Sequence, residues 1–395
     1  MAMPQDLVED ILSVLPANSL VRFTSVCKSW RRLIRDDPAF KALQASKAAA
    51  SPATRCSYLF KTWTWDSSPG TRRRFSMLYN GTPVTVGKPV FNPFAVVVGG
   101  ARERRMFVML GSHDGIVCIL VYSDCNHASA QNPYIYLWNP SINKVKPLQR
   151  FWCSRLYDLF GFGFSKQNKE YRIVSLIDDY FNLHRRAAYV YSSKADSWNQ
   201  IDMVSSGWNR IEFRCITMQP TILDGAPHWL AVDRTQNLQF SSEAKSIISF
   251  DFDTERFGCI ALPAAAVGRG GNHHYSKVLG TFKGSLAFVN CSQHNRRSML
   301  TGHDVWVLRE YGVESSWIKL FSLEPTLAKA VSFGISGELF LLPFDDERKE
   351  LIEVSDKGKI TRTLQLKDMI DSPLLPYTES LVLLDYVPRT RRRGN

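Results

Sequence analysis

The stretch that decides the fold begins Gly111-Ser112-His113-Asp114-Gly115, runs into IVCILVY (116–122) and returns as YIYLWNPSINKVKPL (134–148). It consists of a turn group, a short strand rich in β-branched residues, a polar interval, and a second and third strand parted by Asn139-Pro140-Ser141. That is the grammar of antiparallel hairpins.

The same unit recurs about every 40 to 60 residues. Gly161-Phe162-Gly163-Phe164 leads through YRIVSLI to AAYVYSSKADSWNQI, ending at Ile201. Asp224-Gly225 leads into APHWLAV and SIISFDFDTERFGCIAL, ending at Leu262. VLGTFKGSLAFVNC from Val278 is followed by DVWVLREYGVESSWIKLF, ending at Phe321. A weaker copy runs from Val331 through FGISGELFLLPF to ELIEVSDKGKITRTLQL, and a degenerate one spans Tyr58 to Met109. Lys194-Ala195-Asp196 and Asp253-Thr254-Glu255 take the place of the Asn139 turn. Strand pairs of this kind cannot bury both faces alone but can when arranged radially, so the chain reads as mainly β, a propeller of about six blades, with a large β-sandwich as the alternative. YTESLVLLD, Tyr377 to Asp385, reads as a further strand that would complete the first blade and close the ring.

Working outward, residues 3–40 read MPQDLVEDILSVLPANSLVRFTSVCKSWRRLIRDDPAF. Leu7, Val8, Ile11, Leu12, Val14 and Leu15 recur at helical intervals, with Asp6, Glu9 and Asp10 near the N-terminal end and Pro16 as the stop. Ser19 is placed to cap a second helix carrying Leu20, Val21 and Phe23, and Val26, Cys27, Trp30, Leu33 and Ile34 form the apolar side of a third. Three short helices hold more apolar side chains than so small a unit can bury, so something else must cover the excess. Lys41 to Thr54 reads as a helix tail and linker.

At 395 residues, with 45% hydrophobic and 22% charged residues, the composition is that of a soluble globular protein. No basic n-region and no apolar run of about eighteen residues is present, which argues against secretion and membrane spanning. Eight cysteines lack any C-x-x-C spacing and read as buried reduced thiols of a cytoplasmic or nuclear protein. The net charge of +12 gathers in clusters that include Arg72-Arg73-Arg74 and Arg185-Arg186. Such clusters fit solvated loops, or a face for an acidic partner. With the adjacent pair His273-His274 they form the candidate target face.

The order P-x-D-L-x-x-x-I-L-x-x-L-P, then L-V-R-F, then V-C-K-x-W-R-x-L-I, resembles the F-box, which binds the Skp-type linker subunit of SCF ubiquitin ligases. Met3 stands where leucine is usual. The resemblance implies linker binding by Pro4, Leu7, Ile11, Leu12, Leu15, Pro16, Leu20, Val21, Val26, Cys27, Trp30, Leu33 and Ile34. The motifs from Gly111 to Phe321, with a fainter tail to Leu384, are similar to the plant F-box-associated interaction domain, a kelch-like propeller. Expected boundaries are 1–45 for the F-box, 46–57 for a linker, 58–388 for the β domain and 389–395 for a basic tail.

The eight histidines show no H-x-x-x-H or H-E-x-x-H spacing, and no nucleophile elbow or phosphate-binding loop is present. His228-Trp229 reads as a buried indole beside a hydrogen-bonded histidine, and Trp138, Trp198, Trp306 and Trp317 as packing between blades. No catalytic residue, metal or cofactor is expected. The resemblance implies a non-catalytic substrate receptor, joined through the linker to cullin and RING subunits, whose target is unidentified and acidic if the basic face is used. A polyanion- or RNA-binding propeller outside any ligase, or a glycan receptor, are the alternatives; nucleic acid is the less favoured partner. Recognition is expected on loops such as Ser67 to Arg74, Ser123 to Pro133, Phe181 to Arg186, Arg234 to Ala244 and Gly268 to Tyr275.

Overall fold

The computed structural model describes residues 4–50, 58–64, 72–79, 82–85, 106–122, 133–149, 159–178, 186–207, 213–215, 219–233, 244–267, 277–293, 300–345, 348–370 and 372–382. Helices α1 (Gln5–Ser13), α2 (Ala17–Phe23), α3 (Lys28–Asp36) and α4 (Pro38–Ala50) precede six separate antiparallel sheets. The sheets are propeller blades, and neighbouring first strands touch one another around an axis. A two-sheet sandwich is excluded by this count.

Blade 2 shows the plan: Met106–His113, Ile116–Tyr122, Tyr134–Asn139 and Lys144–Pro147 pair in that order. Each unit therefore holds one strand more than its sequence pattern displays. The hidden one is the first, which in blade 3 is Leu159–Ser165, LFGFGFS. Its glycines mimic a turn, but their reason is packing. A Cβ on Gly163 would lie 1.9 Å from the carbonyl oxygen of Gly225 in blade 4, the same oxygen that accepts the Phe164 N–H at 3.2 Å. Phe160 and Phe162, on the same strand, are buried.

First and second strands in blades 2 and 4 are joined by Asp114-Gly115 and Asp224-Gly225, all four residues at positive φ. This is the type I′ geometry whose twist matches the flanking strands. Blades 3 and 4 are also stapled by Arg172, which donates to Glu170 at 2.9 Å on its own strand and to Glu255 at 2.7 Å across the gap.

The ring is closed as expected, though by other residues. Met369–Ile370 pairs with Trp63 and Thr62, and Leu375–Pro376 pairs with Leu59 and Tyr58, so the C-terminal segment supplies the innermost strand of blade 1. Within Tyr377 to Asp385, the described residues 377–382 form no strand. Their apolar pattern has another cause: Leu381 is buried among the helices, and Val382 packs on the core shared by blades 2 and 3.

In the helical unit, α2 begins at Ala17 behind Pro16, so Ser19 lies inside the helix rather than capping it. Cys27 caps α3, its sulfur accepting the Trp30 N–H at 3.4 Å. Asp37 accepts from Ala39 and Phe40 and starts α4 (Pro38–Ala50), so the stretch read as a helix tail from Lys41 belongs to a fourth full helix. Lys47 on α4 reaches Asp10 at 3.0 Å and Ser13 at 2.7 Å on α1. Among the described residues no helix is long and apolar enough to cross a membrane.

Candidate interaction surfaces

The apolar excess of the helices is covered in part by the propeller. Leu12, Ala17, Leu20, Leu33, Ile34 and Phe40 share one core with Ile142, in the outer turn of blade 2, and Leu381. Residues 377–382 form a strap across this seam. The Tyr377 hydroxyl lies 2.6 Å from the Ser141 hydroxyl, and Ser380 Oγ donates to the Asp114 carbonyl at 2.6 Å. Asn139 Nδ2 donates to the carbonyls of Ser380 and Val382, both at 2.9 Å. Glu379 accepts the Ala17 N–H at 3.0 Å, satisfying one of the orphan donors at the start of α2. Burial raises the Glu379 carboxyl above its ordinary pKa, and the Ala17 hydrogen bond opposes that rise. A Cβ on Gly115 would stand 2.7 Å from the Thr378 carbonyl, so the strap lies flush on the turn.

Exposed in the helical unit are a row on α1 and its C-cap, with Leu7 49%, Ile11 46% and Val14 65% exposed, and apart from it Val26 at 59% and Leu43 at 38%. Leu7, Ile11 and Val14 follow an i, i+4, i+7 course and share one helix face. Of the residues expected to hold the linker, Pro4, Leu7, Ile11, Pro16, Val26 and Cys27 are exposed, and Leu15, Val21 and Trp30 are half-buried. Leu12, Leu20, Leu33 and Ile34 are interior and shape the surface from beneath. Val14, outside the expected site residues, continues the spacing of Leu7 and Ile11.

The helices rest against the rim of blade 2 that carries the Asp114-Gly115 and 140–143 turns. In antiparallel blades the second strand returns to the other rim. The strand ends that bracket 65–71, 123–132, 179–185, 234–243 and 294–299 accordingly lie away from the helices. These intervals contain most of the expected recognition segments and lie outside the described residues. Arg185, His273 and His274 also lie outside them. Arg72–Tyr79 is a strand, not a loop as the sequence suggested, and Arg186 opens the strand Arg186–Ser192.

His228 is buried, with its ring nitrogens 3.0 Å from the Ala226 carbonyl and 2.9 Å from the Tyr311 hydroxyl, and Trp229 behind it is fully buried. Trp138, Trp198, Trp306 and Trp317 all belong to blade cores. Of the four cysteines whose burial is described, two depart from the expectation of buried thiols. Cys118 and Cys291 are buried thiols, whereas Cys27 and Cys259 are exposed. Cys27 caps α3 from an exposed position. Among the described residues no group of three or more His, Cys, Asp or Glu is placed to hold a metal ion.

Comparison with known proteins agrees with this architecture. Residues 114–388 match the F-box associated beta propeller domain, and residues 1–41 match the F-box domain. The chain is 26% identical to the F-box protein At2g07140 of Arabidopsis thaliana, over 90% of this chain and 84% of that one. It is 27% identical to the F-box/kelch-repeat protein At3g23880 of the same plant, over 81% and 79%. The propeller domain of a trilobed protease from Pyrococcus furiosus aligns at a TM-score of 0.37 and 12% identity, over 65% of this chain and 71% of that one, so the blade count rests on the hydrogen bonds alone. The chain belongs to the F-box proteins whose C-terminal domain is an F-box-associated β-propeller.

Proposed function

We propose that this chain is the substrate receptor of an SCF-type ubiquitin ligase. The observation that carries the reading is the exposed row Leu7, Ile11, Val14 on a helical unit that is otherwise packed and strapped to the propeller. These side chains are already about half buried, so covering the rest against a Skp-type linker would gain about 1–2 kcal/mol each, and the association cost has to be met by further contacts around them. Cullin and RING subunits would be held through the linker. The rim away from the helices, where the long connections begin and end, would receive a target protein. The chain then contributes proximity rather than chemistry, raising the effective concentration of target lysines near the ubiquitin carrier.

The test replaces an exposed residue, so that folding is not at stake. Ile11→Asp is expected to leave the melting temperature unchanged and to abolish capture of a purified Skp-type linker. Capture at parental affinity would overturn the assignment.

A further inference from the structure

The outer edge of blade 6 is open. This blade pairs Ala328–Phe333, Leu339–Pro343, Glu350–Val354 and Ile360–Gln365 in that order, so Ile360–Gln365 has a neighbouring strand on one side alone. Alternate backbone N–H and C=O groups therefore point outward, and among the described residues no backbone group meets them. Blade 4 differs. Its outermost strand, Arg256–Ala261, is covered where the Phe257 N–H donates to the Ser206 carbonyl and the Ala261 N–H to Glu314, both at 2.8 Å. The open strand is rich in strand formers, Ile360, Thr361 and Thr363, and residues 359–363 are all exposed. Residues 357–367, KGKITRTLQLK, hold four cations and no carboxylate. Arg362 is engaged by Glu353 on the neighbouring strand at 2.6 Å, and Lys357 lies beside Asp356. Lys359 and Lys367, at the two ends of the strand, are exposed and form no ion pair among the described residues.

These features discriminate among occupants. A second copy of the same edge would bring like charges together, which is unfavourable across a strand pair, so the lysines guard against self-pairing. A phosphate backbone accepts from the outward N–H groups but leaves the outward carbonyls without donors. An extended peptide supplies both, and carboxylates near its ends complement the two lysines. We infer that the outer edge of blade 6 takes an extended acidic segment of a partner protein as a fifth strand, its backbone paired with 360–365 and its carboxylates on Lys359 and Lys367. The same charges that repel a second copy thereby select the partner. The inference stands apart from the ligase reading, because the exposed α1 row belongs to a helical unit that rests on blade 2.

The experiment titrates the synthetic peptide acetyl-Glu-Glu-Val-Thr-Val-Thr-Val-Glu-Glu-amide into the purified full-length chain by calorimetry and maps the complex by hydrogen exchange. Saturable one-to-one binding is expected, with exchange slowed at 360–365. The same peptide N-methylated at its valines and threonines should bind tenfold or more weakly, because its backbone has lost its donors. A peptide with lysine for glutamate should not bind. Lys359→Glu combined with Lys367→Glu should reverse that preference, and an unchanged melting temperature of this variant certifies the fold, both lysines being exposed. The N-methylated peptide keeps the test decisive on the parent chain alone. Equal binding of that peptide would mark plain charge attraction and overturn the inference. So would no saturable binding at millimolar peptide, slowed exchange elsewhere but not at 360–365, or a single-stranded DNA oligonucleotide that binds this edge as tightly as the peptide.

Discussion

Leu381→Ala isolates the seam between the helices and the propeller. Leu381 is 1% exposed, with Leu12, Leu20, Ile34 and Ile142 in the same core. Truncating a leucine so enclosed costs about 2 to 5 kcal/mol, the upper end applying where the surroundings cannot collapse. Here they cannot readily do so, because Ile142 is fixed by its blade and the strap backbone is held by Asn139 on either side of Leu381. The loss falls on the helical unit rather than on the ring, whose closing pairs lie upstream at Leu375 and Pro376. Calorimetry of the full chain should therefore show an early transition for the helices, displaced by roughly 8 °C or more for about 2 kcal/mol on a unit of this size, ahead of a nearly unchanged propeller transition. Limited proteolysis should cut first between the helices and blade 1. Leu327→Ala, at a leucine 60% exposed, serves as the control and should stay within about 0.5 kcal/mol of the parent. A Leu381→Ala protein that melts with the parent's profile would refute the claim that this residue ties the two parts together.

Gly163→Ala should prevent folding or cost more than about 3 kcal/mol, since its Cβ would meet the Gly225 oxygen at 1.9 Å; a soluble variant with the parent's melting temperature would contradict the packing of blades 3 and 4. Burial lowers the pKa of His228 and of His303 from 6.5 to about 4. Between those values the unfolded chain binds protons that the folded chain does not, so stability is fully present above pH 6.5 and falls as the pH drops towards 4, by on the order of 3 kcal/mol per ring. Chemical denaturation across that window should show the slope, reduced in His228→Asn. Glu379 has the opposite sign: its raised pKa means the folded state holds the proton more tightly, so its contribution diminishes as pH rises above 4.5. Glu379→Gln keeps an acceptor for Ala17 without the charge, and its melting temperature at pH 7 should equal or exceed the parent's; a fall would show that the charge itself is needed at the helix start. Reversing Arg185 to Glu should weaken target capture and leave linker capture intact, and added salt should mimic it within a screening length of about 8–10 Å; Arg186 is spared because its Nε and Nη2 are buried at the start of a blade strand. Capture indifferent to both would mark recognition as apolar.

The blades were legible in the sequence because their second and third strands are bounded by turn residues that do one job, as at Asp224-Gly225 and Asn139-Pro140-Ser141. First strands were hidden because they approach neighbouring blades so closely that glycine replaces β-formers, and LFGFGFS then looks like a turn. The exposed row on α1 was legible as a set of apolar residues but not as a surface. Period alone cannot tell Leu12, which faces Ile142 and Leu381, from Ile11, which faces solvent. The strap was misread for a similar reason: an apolar run wedged between two domains has the composition of a strand. Glu379 carries no local signal, since its partner is the N–H of Ala17, 362 residues away.

That long-range contact orders the assembly of the two surfaces. The chain closes blade 1 with Leu375–Pro376 and, with the next residue, begins the strap that holds the helices on blade 2. Residues this close to a strand pair share its position, so the strap reaches Asp114, Asn139 and Ala17 together only when the ring is shut. An open propeller would leave α2 without Glu379 and the helical core without Leu381, exposing apolar surface at the seam in addition to the α1 row. The orientation of the exposed α1 row relative to the opposite rim is thus conditional on a completed β domain. A chain built this way holds its helical unit and the opposite propeller rim at a fixed separation only after both its first and its last blade strands have paired.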